Sequence, residues 1–247
     1  MDPEAAAAAT AAAGLPGDIK ERLKASYDAI APTYNEWTIP HSKQRMHYLE
    51  KALGYLNASV PDKSKDLAFL ELGCGCGLPV TEKLLSYASA TARVVANDLS
   101  EAQIALAREN LFGGRAGKDD DGDEVKSRLE LIQGDMNTLN FPNGSFDLVV
   151  GFYSIIHLPR SEQARLLERI AQWLRPGGYF VANFTEKEAE AMVNEKWLDD
   201  DKGWMFWSGW GEEKTLGKIR DAGLEVVVAD VVAEVVDASF LWVIAKR

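Results

Sequence analysis

Cysteine is scarce in this chain: two among 247 residues, Cys74 and Cys76, both in one short loop. With a single residue between them they match neither a redox Cys-x-x-Cys pair nor the four-ligand spacing of a zinc site. They read as small residues in a crowded turn. Basic residues are also in deficit, 27 Lys and Arg against 38 Asp and Glu, for a formal charge of −11. A polyanionic partner needs clustered Lys and Arg, so nucleic acid is not an expected partner. No apolar stretch approaches the roughly 20 residues of a membrane span, and no membrane association is expected. The alanine-rich tract 2–14 carries Asp2 and Glu4 but no basic residue. A secretory signal needs a positive start and a transit peptide needs arginines, so residues 1–18 are expected to be a disordered, removable tail and the location cytoplasmic.

What is present is a chain whose length and 47% hydrophobic content suit one α/β domain. Leu23, Tyr27 and Ile30 share a face of a helix predicted over Lys20–Ala31 and ended by Pro32. Met46, Leu49, Leu53 and Leu56 do the same over Ser42–Leu56. From Leu67 onward strands and helices alternate. The strands are predicted at Leu67–Leu72, Arg93–Asn97, Arg128–Gln133, Phe146–Phe152, Tyr179–Phe184, Leu224–Val231 and Phe240–Ala245. The intervening helices are predicted at Pro79–Tyr87, Glu101–Leu111, Ser161–Leu174 and Glu212–Ala222. The pattern is a doubly wound, mostly parallel seven-stranded sheet. Only Ala233–Ser239 separates the last two strands, too little for a crossover helix, so they should form an antiparallel hairpin. Gly113–Ser127 interrupts the pattern as a polar surface loop. Counted from Asp119, Glu124 stands where an EF-hand requires glycine, so calcium is not expected there, and no other metal is.

Glu71-Leu72-Gly73-Cys74-Gly75-Cys76-Gly77 follows a buried-strand pattern and leads into a helix. Such a loop lets a ligand approach the backbone beside a helix N-terminus and an acceptor carboxylate. Asp98 ends the second strand, where a carboxylate can accept from both hydroxyls of a ribose, and Ser100 is the predicted cap of the next helix.

At these residues the chain resembles the class I S-adenosylmethionine-dependent methyltransferases, whose first motif is Asp/Glu-x-Gly-x-Gly-x-Gly; Asn97-Asp98-Leu99-Ser100 is similar to the second motif. The resemblance runs from about Tyr27 to the C-terminus. It implies a Rossmann-like fold with an N-terminal helical cap (19–60) and an aromatic cap insertion (186–211), and S-adenosyl-L-methionine as cofactor. It implies that Glu71, Gly73, Gly75, Gly77, Asp98 and Leu99 bind the cofactor, with Asp135 toward the adenine amino group and Met136 against its ring. Asp147, at the start of its strand, reads as structural, and Trp173–Gly178 as an architectural helix-end turn. Neighbouring specialities do not fit. Gly151-Phe152-Tyr153-Ser154 replaces the Asp/Asn-Pro-Pro-Tyr of amino-group DNA methyltransferases. Phe152 and Asn183 stand where metal-dependent catechol-type enzymes carry carboxylates, and the paired-glutamate loop of arginine methyltransferases is missing.

A small-molecule acceptor remains, methylated on oxygen or nitrogen, with secondary metabolism as the expected setting. Tyr34, in a segment resembling the family's cofactor-closing stretch, is placed near the transferring methyl group, while Tyr27 reads as a core packer. His157 is the candidate base, at the crevice and able to titrate near neutrality. Trp204, Trp207 and Trp210 either wall an acceptor pocket or fill a small apolar core. Two alternatives keep the same cofactor site: a pericyclase or isomerase that uses the cofactor electrostatically, and a non-catalytic cofactor-binding subunit.

Overall fold

The computed structural model describes residues 17–59, 66–87, 92–113, 125, 127–234 and 238–247. The alanine-rich tail and most of the Gly113–Ser127 loop lie outside the described residues.

Strands β1 (Ala68–Leu72), β2 (Arg93–Asp98), β3 (Leu129–Gln133), β4 (Phe146–Gly151), β5 (Leu174–Thr185), β8 (Glu225–Ala233) and β9 (Ser239–Lys246) form one sheet in the order β3-β2-β1-β4-β5-β9-β8. The pairs among β1 to β5 are parallel, whereas β9 runs antiparallel to both β5 and β8. The expected doubly wound sheet with its terminal hairpin is therefore the observed fold. Successive strand residues face opposite sides. Phe69, Val94, Leu148 and Trp242 pack beneath α2 (Lys43–Ser59) and α3 (Val80–Tyr87), while Leu70, Val95, Phe180 and Val243 pack beneath α5 (Arg160–Trp173) and α6 (Glu212–Asp221). Both faces are covered, which is why the central strands read as continuous apolar runs.

Two elements differ from the sequence expectation. The first helix, α1, runs Ile19–Thr38 straight through Pro32. Proline removes one backbone bond and clashes with the preceding turn, at a cost of about 3 kcal/mol. The helix persists because Ile30, Ala31, Asn35 and Thr38 are buried on both sides of the proline. Its C-terminal carbonyls are also held: Arg45 Nη2 donates to the Thr38 carbonyl at 2.6 Å, and Ser42 Oγ to that of Ile39 at 2.6 Å. The second difference lies in the aromatic insertion, which contains a separate antiparallel pair, β6 (Glu188–Asn194) and β7 (Met205–Trp210). Trp204, Met205 and Phe206 pack there against Ile19, Leu23 and Ile30 of α1. Part of the tryptophan cluster is thus core. Asp147 is buried at the opposite end of the sheet, accepting from the Ala68 N–H at 2.9 Å and from Arg175.

Candidate functional site

The carboxyl ends of β1 to β4 open into one cavity, whose empty space, open solvent at its mouth included, is about 960 Å³. Glu71, Gly73, Gly75, Asp98, Leu99, Asp135, Met136, Tyr34 and His157 all line it. Gly77 does not. A Cβ there would fall 2.7 Å from Leu111 Cδ1, so this glycine serves packing beneath the loop, and one at Gly73 would collide with the Ser154 side chain at 2.3 Å. Gly75 differs: with φ +55°, its Cβ would meet nothing closer than Gln103 Oε1 at 3.8 Å. The room it leaves belongs to the cavity.

Asp98 organises the loop. One carboxylate oxygen accepts the Gly75 N–H at 2.8 Å and the other the Ser100 N–H at 2.8 Å. Each oxygen has a second lone pair for a ligand hydroxyl. Burial raises its pKa to about 6. Glu71 is more enclosed: its hydrogen-bond donor is the Thr81 hydroxyl at 2.5 Å, and burial lifts the carboxyl to about 8 although the Arg45 charge pulls it down.

Helix α1 closes the cavity from above and is tethered along its length. Lys20 Nζ lies 2.5 Å from both Asp135 and Glu162. Asp28 Oδ1 accepts from Ser100 Oγ at 2.6 Å and from the Ala102 N–H at 3.1 Å, at the start of α4 (Glu101–Arg108). Asn35 Nδ2 donates to Gln103 Oε1 at 3.0 Å. Tyr27 Oη stands 2.9 Å from His157 Nε2, and His157 Nδ1 stands 2.7 Å from the Phe206 carbonyl. A carbonyl only accepts, so the ring proton sits on Nδ1 and Nε2 accepts from Tyr27. Burial holds this imidazole down at about 4 and pushes the Tyr27 phenol well above its ordinary value.

Tyr27, Arg45 and Gln103 are among the lining residues that were not singled out as site residues from sequence. Tyr27 reads as a core packer on helical spacing, yet its hydroxyl meets the site. Arg45 sits on the α2 face beside Met46. Gln103 lies one turn into α4. Arg45 Nε and Gln103 Nε2 are buried without a hydrogen-bond partner, and both residues line the cavity. Orphaned donors at a cavity wall call for a ligand acceptor. Tyr153 holds φ at +51°, in the left-handed region, with its N–H donating to Asn183 Oδ1 at 2.7 Å. That strained residue also lines the cavity, and such strain gathers at ligand sites.

A methyltransferase domain family matches residues 69–178, the segment that contains the glycine loop, Asp98, Asp135 and His157. Residues 69–178 therefore match a methyltransferase domain, the segment on which the resemblance to the class I S-adenosylmethionine-dependent methyltransferases rests. Among curated relatives, a sterol 24-C-methyltransferase of Gibberella zeae is 28% identical over 134 residues, which is 54% of this chain and 30% of that protein. Others are matched over half their length or less. Among solved structures, the 1,6-didemethyltoxoflavin N1-methyltransferase of Burkholderia thailandensis, with its substrate and S-adenosylhomocysteine bound, superposes with a TM-score of 0.64 at 16% identity, covering 95% of this chain and 91% of that one. The magnesium protoporphyrin IX methyltransferase of Synechocystis PCC 6803, with S-adenosylmethionine bound, gives 0.63 at 15% identity over 95% and 99%. At these identities the likeness is one of fold. No helix among the described residues is long and apolar enough to cross a membrane.

Proposed function

We propose that this domain transfers the methyl group of S-adenosylmethionine to an oxygen or nitrogen of a small-molecule acceptor. The observation that carries the reading is the cavity at the strand ends, where buried Glu71 and half-buried Asp98 flank the opening left by Gly75. The residues fit the cofactor. Asp98 keeps two lone pairs for the ribose hydroxyls, and Leu99 and Met136 offer apolar surface to the base. Arg45 Nε and Glu71 present opposite charges for the carboxylate and ammonium of an amino-acid tail. Asp135 is the acceptor for an adenine amine, a role it shares with its present partner Lys20.

When bound, the cofactor supplies a methyl group already activated on a sulfonium. The chain's own task is then to align the acceptor lone pair and exclude water. The tethers from Lys20, Asp28 and Asn35 hold α1 across the cavity, and Tyr27, Tyr34 and Leu23 give its underside an apolar lining. A cavity roofed by α1 suits a small acceptor, and the charge of −11 suits one that is neutral or cationic. The test has two arms. Titration calorimetry with S-adenosylhomocysteine should give a saturable site that Asp98→Asn weakens. Methyl-labelled cofactor, offered with amines, phenols and carboxylic acids, should give labelled product with at least one class. Binding without any product across the panel would favour a non-transferring role.

A further inference from the structure

Six aromatic rings close on themselves at one wall of the cavity. Tyr27 meets Tyr34 at 5.2 Å between ring centres, Tyr34 meets Trp37 at 6.0 Å, and Trp37 meets Trp197 at 5.6 Å. Trp197 meets Trp207 at 5.3 Å, Trp207 meets His157 at 5.9 Å, and His157 returns to Tyr27 at 5.6 Å. Three rings come from α1, two from the β6–β7 insertion and one from the turn after β4. Tyr27, Tyr34 and His157 line the cavity, and the three tryptophans are half-buried outside it. A hydrophobic core alone does not require this circuit. The insertion already has its core in Trp204, Met205 and Phe206, with Trp204 stacked near Phe206 and covered by the Arg22 guanidinium at 3.9 Å.

The polar atom in this wall has a fixed sense. The Phe206 carbonyl takes the His157 Nδ1 proton, so Nε2 presents a lone pair, and the Tyr27 hydroxyl gives its one hydrogen to it. Tyr27 Oη therefore faces the cavity only as an acceptor. It can receive an N–H or O–H from a ligand but cannot donate to one.

The geometry points to an amine nitrogen as the methyl acceptor, held by an N–H donated to Tyr27 Oη, in a wall where the aromatic rings of Tyr27 and Tyr34 border the positive charge that forms on it. This rests on the methyl-transfer reading above. The nitrogen lone pair forms the bond to the methyl carbon, and the carbon–sulfur pair departs with the sulfur of S-adenosylmethionine. The product ammonium then loses its N–H proton to water. No protein base is required, and none is offered. The His157 lone pair is engaged by Tyr27, and no carboxylate among the described residues lies against the imidazole to stabilise its charged form; its lowered pKa agrees. A hydroxyl acceptor would need such a base. The aromatic lining instead favours a cation. His157 is thus a positioning residue that fixes the Tyr27 proton, and Tyr27 is the residue that touches the acceptor.

The test uses the full chain saturated with S-adenosylhomocysteine and matched pairs differing only in –NH₂ against –OH: benzylamine and benzyl alcohol, aniline and phenol, tryptamine and tryptophol. Binding is followed by tryptophan fluorescence and calorimetry, and turnover by labelled S-adenosylmethionine. The expected result is at least tenfold tighter binding of the amine in one or more pairs, with label on nitrogen. Tyr27→Phe should abolish that preference while leaving S-adenosylhomocysteine affinity unchanged. His157→Ala should raise the amine's KM while the pH profile of kcat/KM keeps following the amine's own ionisation. Tighter hydroxyl binding, label on oxygen, a His157 ionisation that vanishes from the pH profile of His157→Ala, or no binding by any pair would overturn the proposal. Should S-adenosylhomocysteine itself fail to bind, the methyl-transfer reading falls first.

Discussion

Glu71 offers the most direct quantitative test of the cavity. Its carboxyl is buried, its hydrogen-bond donor is the Thr81 hydroxyl, and burial holds its pKa near 8. At pH 6 only about 1% of such a group is ionised, and at pH 8 about half. A ligand whose ammonium requires the carboxylate must first expel that proton. Its affinity should therefore rise about fiftyfold between pH 6 and pH 8, roughly 2.3 kcal/mol, with close to one proton released per ligand bound at the lower pH. Asp98, near 6, adds only about a factor of two over the same range. Calorimetry with S-adenosylhomocysteine, in two buffers of different ionisation enthalpy, counts the protons directly. 5′-Methylthioadenosine, which lacks the amino-acid tail, should show only the small Asp98 dependence, and Glu71→Gln should flatten the tailed ligand to match it. A pH-independent affinity, or a slope retained in Glu71→Gln, would refute the assignment of Glu71 to a ligand cation.

The same carboxyls shape the stability of the ligand-free protein. A raised folded pKa contributes stability that is complete below the unfolded value and lost as pH rises through the folded one, so the melting temperature should decline from about pH 4 to pH 8, and Glu71→Gln should lessen the decline; a flat profile would contradict the burial argument. Asp98→Asn removes charge-assisted bonds to Gly75 and Ser100, worth about 1.5–3 kcal/mol each, so S-adenosylhomocysteine affinity should fall about 10- to 100-fold in calorimetry, and unchanged affinity would remove Asp98 from the site. Lys20→Ala releases Asp135 and Glu162, and hydrogen exchange in residues 19–38 should accelerate; unaltered protection would mean that Lys20 tethers nothing. Asp147→Ala, at the far end of the sheet, strips a partner from Ala68 N–H and from half-buried Arg175, which should cost about 2–3 kcal/mol in urea denaturation while S-adenosylhomocysteine binding stays as it was.

The sheet was legible because its determinants are local and repeated. Each strand is a short apolar run closed by a turn residue, and every parallel crossover but that from β3 to β4 carries a helical stripe. The short Ala233–Ser239 link forces the antiparallel return. The glycine loop, Asp98 and Asp135 were legible for a related reason: in a doubly wound fold the residue after each strand is delivered to the same edge, so position along the chain already implies convergence. Where local rules compete, the reading failed. Pro32 is a helix breaker by its own chemistry, yet the buried flanks and the Arg45 and Ser42 caps, contributed from beyond the helix, outweigh it. The β6–β7 pair carries a register shift between Ala189 and Met192 and so lacks the clean alternation that announces a strand.

The unread part of the site has a single physical origin. Tyr27 and His157 are 130 positions apart, and the proton sense of their bond depends on a third residue, Phe206, through a backbone carbonyl that any amino acid would supply. Arg45 is likewise one polar residue in a helix with several, and only the cavity reveals that its Nε lacks a partner. Residue type signals a capacity to ionise or to donate; burial and the second partner decide whether that capacity is spent. His157 makes the point in its strongest form. Its identity proposes a base near neutrality, but one carbonyl and one phenol consume both ring nitrogens, and desolvation does the rest. On the proposal above, the contact with the acceptor passes to the neighbouring oxygen of Tyr27.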